Sequence, residues 1–299
     1  IDGVLHKLIE PPRSMRATLI SRIKVMADMD IAERRKPQDG RISINVAGRT
    51  LDVRAASVPT PYGEKLTLRI VDRSSQTLTL EDLGFPEKQL KEFKKMATLP
   101  YGFILVAGPT GSGKSTTLYA TLIHVNDPGK HTITIEDPIE RRVEGLNQIQ
   151  VNTRAGLTFS TGLSSLMRND PDIIMVGEIR DRDTAQMAVE SSLTGHLVFS
   201  TIHTNDAAGA VTRLTEMGVE PFLVASTLVG VIAQRLVRVL CPDCKKPVEM
   251  TREEILEIAP DFPLDDDEKK VTIYEPVGCE ECHGTGYKGR RGVYEVLVV

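Results

Sequence analysis

The sequence predicts an α/β protein: a mostly parallel sheet covered on both faces by helices, preceded by a small region in which a helix leads into an antiparallel sheet. Three observations carry this. From Phe103 onward, short apolar runs (FILVA, TITIED, DIIMVGE, HLVFSTIH) alternate with helical segments such as DTAQMAVESSL, and that repetition implies a parallel sheet with both faces covered. Before residue 76, helical spacing gives way to period-two alternation. Near the far end, the only four cysteines of the chain fall into two C-x-x-C units.

In the first region, residues 1–76, SMRATLISRIKVMADMD places Met15, Leu19, Ile23 and Met26 at helical spacing, with Ser14 in position to cap the helix start. After PQDG the period becomes two: Ile42, Ile44 and Val46 alternate, AGR offers a turn, and Leu51 with Val53, then Leu66, Leu68 and Ile70, read as further strands. The polar stretch DRSSQTLT, residues 72–79, reads as a linker. The second region, residues 77–299, opens with a helix in EDLGFPEKQLKEFKKMA and continues with FILVA as a strand, GPTGSGKST as a loop and TLYATLIHV as a helix.

Length and composition set the bounds: 299 residues fit one large or two ordinary domains, and 40% apolar with 26% charged residues is ordinary for a globular protein with an ample core. A formal charge of −4 argues against bulk nucleic-acid binding, which relies on clustered Lys and Arg. No apolar stretch approaches the roughly 20 residues of a membrane span, and no secretory leader opens the chain. It begins on Ile1 rather than Met, which reads as a fragment of a longer protein.

Gly108, Pro109, Thr110, Gly111, Ser112, Gly113, Lys114 and Ser115 satisfy G-x-x-x-x-G-K-[ST], in a loop that ends with Thr116 between a predicted strand and a predicted helix, the context that marks a P-loop. Glycines let backbone N–H groups approach phosphates at a helix start, Lys114 reaches the β- and γ-phosphates of ATP, and the Ser115 hydroxyl ligates Mg²⁺. DIIMVGE carries Glu178 to the end of an apolar strand, where a carboxylate holds magnesium directly or through water. IEDPIE supplies Glu136, Asp137 and Glu140 after another strand. Hydrolysis needs one carboxylate to deprotonate the attacking water, distinct from the group at the metal. These residues alone leave the choice among the three open, beside the plainer reading that all of them cap a turn. His196 and His203 flank an apolar run in GHLVFSTIH, and histidines so placed are more often structural than catalytic.

Cys241 with Cys244 and Cys279 with Cys282 form two turns that each point a pair of thiolates at one centre, which closes a four-cysteine structural zinc site with no open position for catalysis. The competing readings are two disulfides or four buried thiols; a reducing compartment favours metal. Structural zinc is worth roughly 10–16 kcal/mol of apparent binding energy, enough to hold a small lobe, about residues 238–286, with little core of its own.

With GPTGSGKSTT, TIEDPIE, RNDPDIIMVGEIRD and TGHLVFSTIHTNDA in this order, the chain resembles the secretion ATPase superfamily of type II secretion and type IV pilus motors, whose Walker A, aspartate box, Walker B and histidine box these stretches match. MADMDIAERRKPQDGRI and GYKGRRGVYEVL match as well, so the resemblance covers nearly the whole chain. It implies a RecA-like P-loop ATPase domain, a small PAS-like N-terminal domain and a zinc-binding subdomain, the last typical of extension rather than retraction motors. It makes Glu140 the catalytic glutamate, Glu178 the Walker B glutamate and His196 and His203 the histidine box. It also implies that Arg41, Arg54 and Arg168 lie near the γ-phosphate. The family often carries an arginine where this chain has Ser164, a departure from a full arginine set.

The resemblance further implies a homo-hexamer in the cytoplasm, tied to the inner membrane through a platform protein and associated assembly proteins. It involves no nucleic acid and leaves secretion, pilus or DNA-uptake service open. ATP binding would then close the N-terminal domain over the site by a hinge at residues 72–79. Two readings compete: a DNA-translocating RecA-like ATPase, which should show a basic pore stripe, and a nucleotide-gated scaffold with little turnover.

Overall fold

The computed structural model describes residues 5–46, 48–72, 78–264 and 270–299. The predicted linker at 72–79 and the acidic stretch PLDDDEKK, read from sequence as a solvated loop rather than a magnesium site, fall largely outside these residues. Two compact units emerge, Gly3–Thr77 and Leu78–Val299.

The first unit holds α1 (Arg16–Met26) and a meander of β1 (Gln38–Val46), β2 (Arg49–Thr60) and β3 (Gly63–Asp72), paired antiparallel in that order. Its core is small: Ala27, Met29, Ile42, Val53 and Ala55, with Ile23 and Ile44 packed against it. The helix begins later than the sequence indicates. Arg13–Met15 form a 3₁₀ turn, so Met15 rather than Ser14 stands at the cap position, and no side chain caps α1. The expected apolar stripe is not what the unit buries either. Met15, Leu19 and Met26 are exposed, and only Ile23 of the four reaches the core.

Instead α1 buries Lys24, whose ammonium pairs with Glu64 at the start of β3 and donates to the Glu33 carbonyl at 2.7 Å. A buried charge is tolerated only when paired and hydrogen-bonded, and both conditions are met. Periodicity cannot separate Lys24 from its exposed neighbours, because the partner that allows its burial lies 40 residues away.

The second unit contains α2 (Glu87–Ala97), β4 (Gly102–Ala107), α3 (Lys114–Val125), β5 (Thr132–Glu136), β6 (Asn147–Gln150), α4 (Phe159–Leu166), β7 (Ile173–Val176), α5 (Arg182–Leu193), β8 (Leu197–Ile202), α6 (Ala207–Glu216), α7 (Pro221–Thr227), β9 (Leu228–Leu240), β10 (Lys246–Thr251), α8 (Arg252–Ile258), β11 (Lys270–Glu275) and β12 (Tyr287–Val298). A seven-stranded sheet runs β12-β9-β4-β8-β7-β5-β6; every neighbouring pair is parallel except β12 with β9. Alternate residues of β4 feed two cores. Phe103, Leu105 and Ala107 meet α4, α5, α6 and α7, while Ile104 and Val106 meet α2 and α3. Both faces are therefore covered, which explains why these strands read as unbroken apolar runs.

The long β9 and its antiparallel partner β12 were not among the strands predicted. The apolar start of β9 is buried, but LVRVL beyond Gln234 lies in a part of the strand that is mostly open to solvent. Pairing with β12, about 60 residues on in sequence, supplies what local pattern does not. β10 and β11 pair in a separate two-stranded sheet that carries α8 between the two cysteine pairs. Among the described residues, no helix is long and apolar enough to cross a membrane.

Candidate nucleotide and metal sites

The turn from β4 into α3 is the P-loop, at the carboxyl ends of the parallel strands, where open α/β sheets bind ligands. Its glycines are demanded by geometry. Gly108 has φ +147, and a Cβ there would sit 2.5 Å from both the Gln234 carbonyl and the Ser112 Oγ. Gly113, at φ +90, occupies the cap position of α3, and no side chain caps the helix. The loop is poised for an anion. Ser112 is buried and its hydroxyl lacks a hydrogen-bond partner, while the Lys114 ammonium donates to the carbonyls of Gly108 at 2.8 Å and Pro109 at 2.9 Å. Burial holds the Lys114 amine below its usual range, opposed by the nearby Glu178 carboxylate. A bound phosphate would satisfy the helix start, the orphaned hydroxyl and the buried ammonium together. Ser115 and Thr116 are exposed on the first turn of α3.

Glu178 follows β7, whose end is braced by the Ser200 hydroxyl donating to the Val176 carbonyl at 2.7 Å and by Thr201 donating to Gly177 at 2.8 Å. Its carboxylate forms an ion pair with the Arg180 guanidinium at 2.6 Å, and its other oxygen stands 3.8 Å from His203 Nε2. Burial, then the positive charge of Lys114, holds the His203 imidazole below its ordinary value; Glu178 works against them. Lys114, Glu178, Arg180 and His203 thus share one neighbourhood. Arg180 was not singled out from sequence, although its place two residues beyond Glu178 was a usable signal.

His196 is elsewhere. It precedes β8 while His203 follows it, about 20 Å away for a six-residue strand, and its Nδ1 lies 2.8 Å from the Ser191 carbonyl. Arg168 is exposed just past α4; the next two residues, Asn169 and Asp170, present their carbonyls to His131 ahead of β5, again at the strand-start edge. The structure therefore does not bring His196 or Arg168 to the chain's own P-loop. Arg41 and Arg54 belong to the first unit, directly opposite each other on β1 and β2, and Arg69 on β3 extends the row.

The three carboxylates at and after the end of β5 have distinct surroundings. Glu136 is only 4% exposed, and its carboxylate is occupied by the Tyr119 hydroxyl, by Thr134 Oγ1 at 2.6 Å and by Gln148 Nε2 at 3.0 Å. Asp137 is exposed and Glu140 half-buried. Glu136 is thus committed to holding the fold.

The sulfur atoms of Cys241, Cys244, Cys279 and Cys282 all lie within 4.8 Å of one another. Cys241 and Cys279 are 3.9 Å apart, Cys244 and Cys282 3.8 Å, and Cys279 and Cys282 3.7 Å. Four thiolates at the ordinary Zn–S length of about 2.3 Å stand about 3.8 Å apart in a tetrahedron, close to these three separations, so the donor set fits zinc. Backbone N–H groups of Gly278, Cys279 and Gly286 point at sulfur. Burial works to raise the Cys282 thiol, but the N–H groups of Cys279 and Gly286 outweigh it and bring it down to about 6.

A family model described as Type II/IV secretion system protein matches residues 1–299. The Type II secretion system protein E of Aeromonas hydrophila is 51% identical over 100% of this chain and 59% of that protein; the Type II secretion system ATPase E of Vibrio cholerae is 50% identical over 100% and 58%. This chain thus spans less than two thirds of the length of these relatives. Among solved structures, the pilus retraction motor PilT with bound ADP superposes with a TM-score of 0.58 at 30% identity, over 81% of this chain and 63% of that one. The Legionella pneumophila ATPase DotB gives 0.63 at 21% identity, over 91% and 71%, a likeness of fold.

Proposed function

This chain belongs to the type II/IV secretion system protein family, and from that premise we propose that it is the ATP-hydrolysing motor of a type II secretion machine, a homo-hexamer working in the cytoplasm and held at the inner membrane through its partner proteins. Its parallel-dominated α/β sheet resembles the RecA-like fold of traffic ATPases, and the chain adds a tetracysteine cluster of its own. Relatives at about half identity carry type II secretion names, which favours secretion over pilus assembly.

The observation that carries the reading is the P-loop, with its uncapped helix start, orphaned Ser112 hydroxyl and buried Lys114. The N–H groups of that loop and Lys114 would hold the phosphates, and Ser115 with Glu178 would hold Mg²⁺, which neutralises charge developing on the transferred phosphoryl group. Glu140 takes the proton of the attacking water. The family resemblance adds Arg41 and Arg54, opposite each other on β1 and β2, to the charge set. Arg168 and His196 lie at the edge of the sheet remote from their own P-loop, so in a hexamer they would act on the nucleotide of a neighbouring copy. The four cysteines hold zinc as scaffold.

Two substitutions separate cradle from chemistry. Lys114→Ala should weaken ATP binding on the order of 10- to 100-fold, as loss of a charged hydrogen-bonding group does. Glu140→Gln should bind ATP normally and lose turnover by about 10²- to 10⁴-fold, the usual worth of a general base. Both are read by fluorescent-nucleotide titration and steady-state phosphate release. A fully active Glu140→Gln protein would pass the base role to Asp137.

A further inference from the structure

Tyr119 sits on α3, the helix that opens at the P-loop, and is only 6% exposed. Its hydroxyl donates to the buried Glu136 carboxylate. The same oxygen accepts two backbone N–H groups, that of Glu140 at 3.2 Å and that of Arg141 at 3.3 Å. Glu136 is locked in turn by Thr134 and Gln148. Gln148 continues the brace: its amide N–H also donates to the Arg141 carbonyl at 2.8 Å, and its amide oxygen accepts the Val143 N–H at 2.8 Å. The phenol oxygen thereby ties the segment bearing Glu140 to the P-loop helix, with all of that oxygen's hydrogen-bonding capacity used.

We propose that Tyr119 is a positioning residue: its hydroxyl, polarised by Glu136, fixes the backbone of Glu140 relative to the P-loop, so that the carboxylate and the phosphates move as one body. The proposal rests on the reading of Glu140 as base. Its physical content is the polarity of the relay. A phenol that receives two N–H groups must send its own proton to an acceptor, and the buried carboxylate is that acceptor. Burial, and then the Glu136 hydrogen bond, push the phenol above its ordinary range and keep the proton on Tyr119.

Two variants test it in the full chain. Tyr119→Phe keeps the ring and removes the acceptor; Glu136→Gln keeps the shape and places an N–H donor where the phenol needs an acceptor. Each should lower kcat on the order of 10- to 100-fold, the effect of misplacing a catalytic group by about an ångström, while KM and ADP affinity stay within about threefold. On a Glu140→Gln background, Tyr119→Phe should change the residual turnover by less than about twofold, because coupled groups are not additive. A purely structural role would instead lower thermal stability and active-site titre together and leave kcat per active site intact; that result overturns the proposal, as does wild-type turnover in both single variants. If Glu140→Gln is inactive and Tyr119→Phe is not, the positioning role fails while the base reading stands. If Glu140→Gln is active, the base reading fails and takes the positioning role with it.

Discussion

Thr117, one turn into α3, donates its hydroxyl to Gln234 Oε1 at 2.6 Å, and both side chains are fully enclosed between α3 and β9. A buried acceptor left without its donor costs about 1–3 kcal/mol, so Thr117→Val should lower the unfolding free energy of the second unit by that order. Gln234→Leu should cost a similar amount, and the double variant less than the sum, since both partners then become apolar. Differential scanning calorimetry with the three variants checks this; strict additivity would show that the hydrogen bond carries no coupling. At this scale the candidate site was partly legible in the sequence. Lys114, Ser115 and Glu178 lie in short motifs whose chemistry is local. Gln234 was not legible, because its partner is 117 residues away, and Tyr119 was not, because its meaning depends on what surrounds Glu136.

Among the elements, α1 departs furthest from its pattern. Four apolar residues at helical spacing pointed to a buried stripe, yet the side chain α1 encloses is Lys24, paired with Glu64. Removing one partner of a buried ion pair costs about 3–5 kcal/mol, which is much of the stability of so small a core. Glu64→Ala should therefore loosen the first unit selectively, and replacing both partners together (Lys24→Met with Glu64→Leu) should restore most of the loss.

The same pair sets a pH dependence in that unit. Burial works to raise the Glu64 carboxyl, but the Lys24 and Ser57 hydrogen bonds outweigh it and hold it below its ordinary value of 4.5. A carboxyl depressed in the folded state contributes stability that is complete above 4.5 and is lost as pH falls through the lower folded value. Acid should accordingly open β3 and α1 below pH 4.5, and Glu64→Ala should abolish that dependence. The chain has no tryptophan, so hydrogen exchange resolved by mass spectrometry is the suitable readout. Exchange in α1 that ignores both the substitution and the pH would show that the pair contributes nothing. The strands of the first unit were legible because alternation is a local signal; the burial of Lys24 was not, because a distant carboxylate permits it.

In the whole molecule, the cysteine cluster closes the chain on itself. Cys241 follows the last residue of β9 and its N–H donates to the Gly286 carbonyl at 2.9 Å, just before Tyr287 opens β12. From there β12 runs antiparallel along β9 to Val298, and Tyr294 on the way stacks on Phe85 at 3.5 Å between ring centroids. Zinc at this point would pin both strands at one end and enclose the lobe of β10, α8 and β11, in which, among the described residues, Ile255 is the only fully buried apolar side chain besides the cysteines. A lobe with so little core would depend on such a metal.

Metal analysis of the purified protein should return one zinc per chain, and Cys282→Ser should release it. Hydrogen exchange should then rise across the described parts of residues 245–278 and at the Tyr287 end of β12. The P-loop is anchored separately, by β4, α3 and Gln234, five or more residues back from the first cysteine. ATP affinity should therefore stay within about threefold of the parent, whereas sedimentation and secretion by cells should be impaired if the lobe faces a neighbour or a partner. A Cys282→Ser protein with full zinc content would remove Cys282 from the ligand set, and one that folds but no longer binds ATP would tie the cluster to the nucleotide site rather than to the scaffold alone.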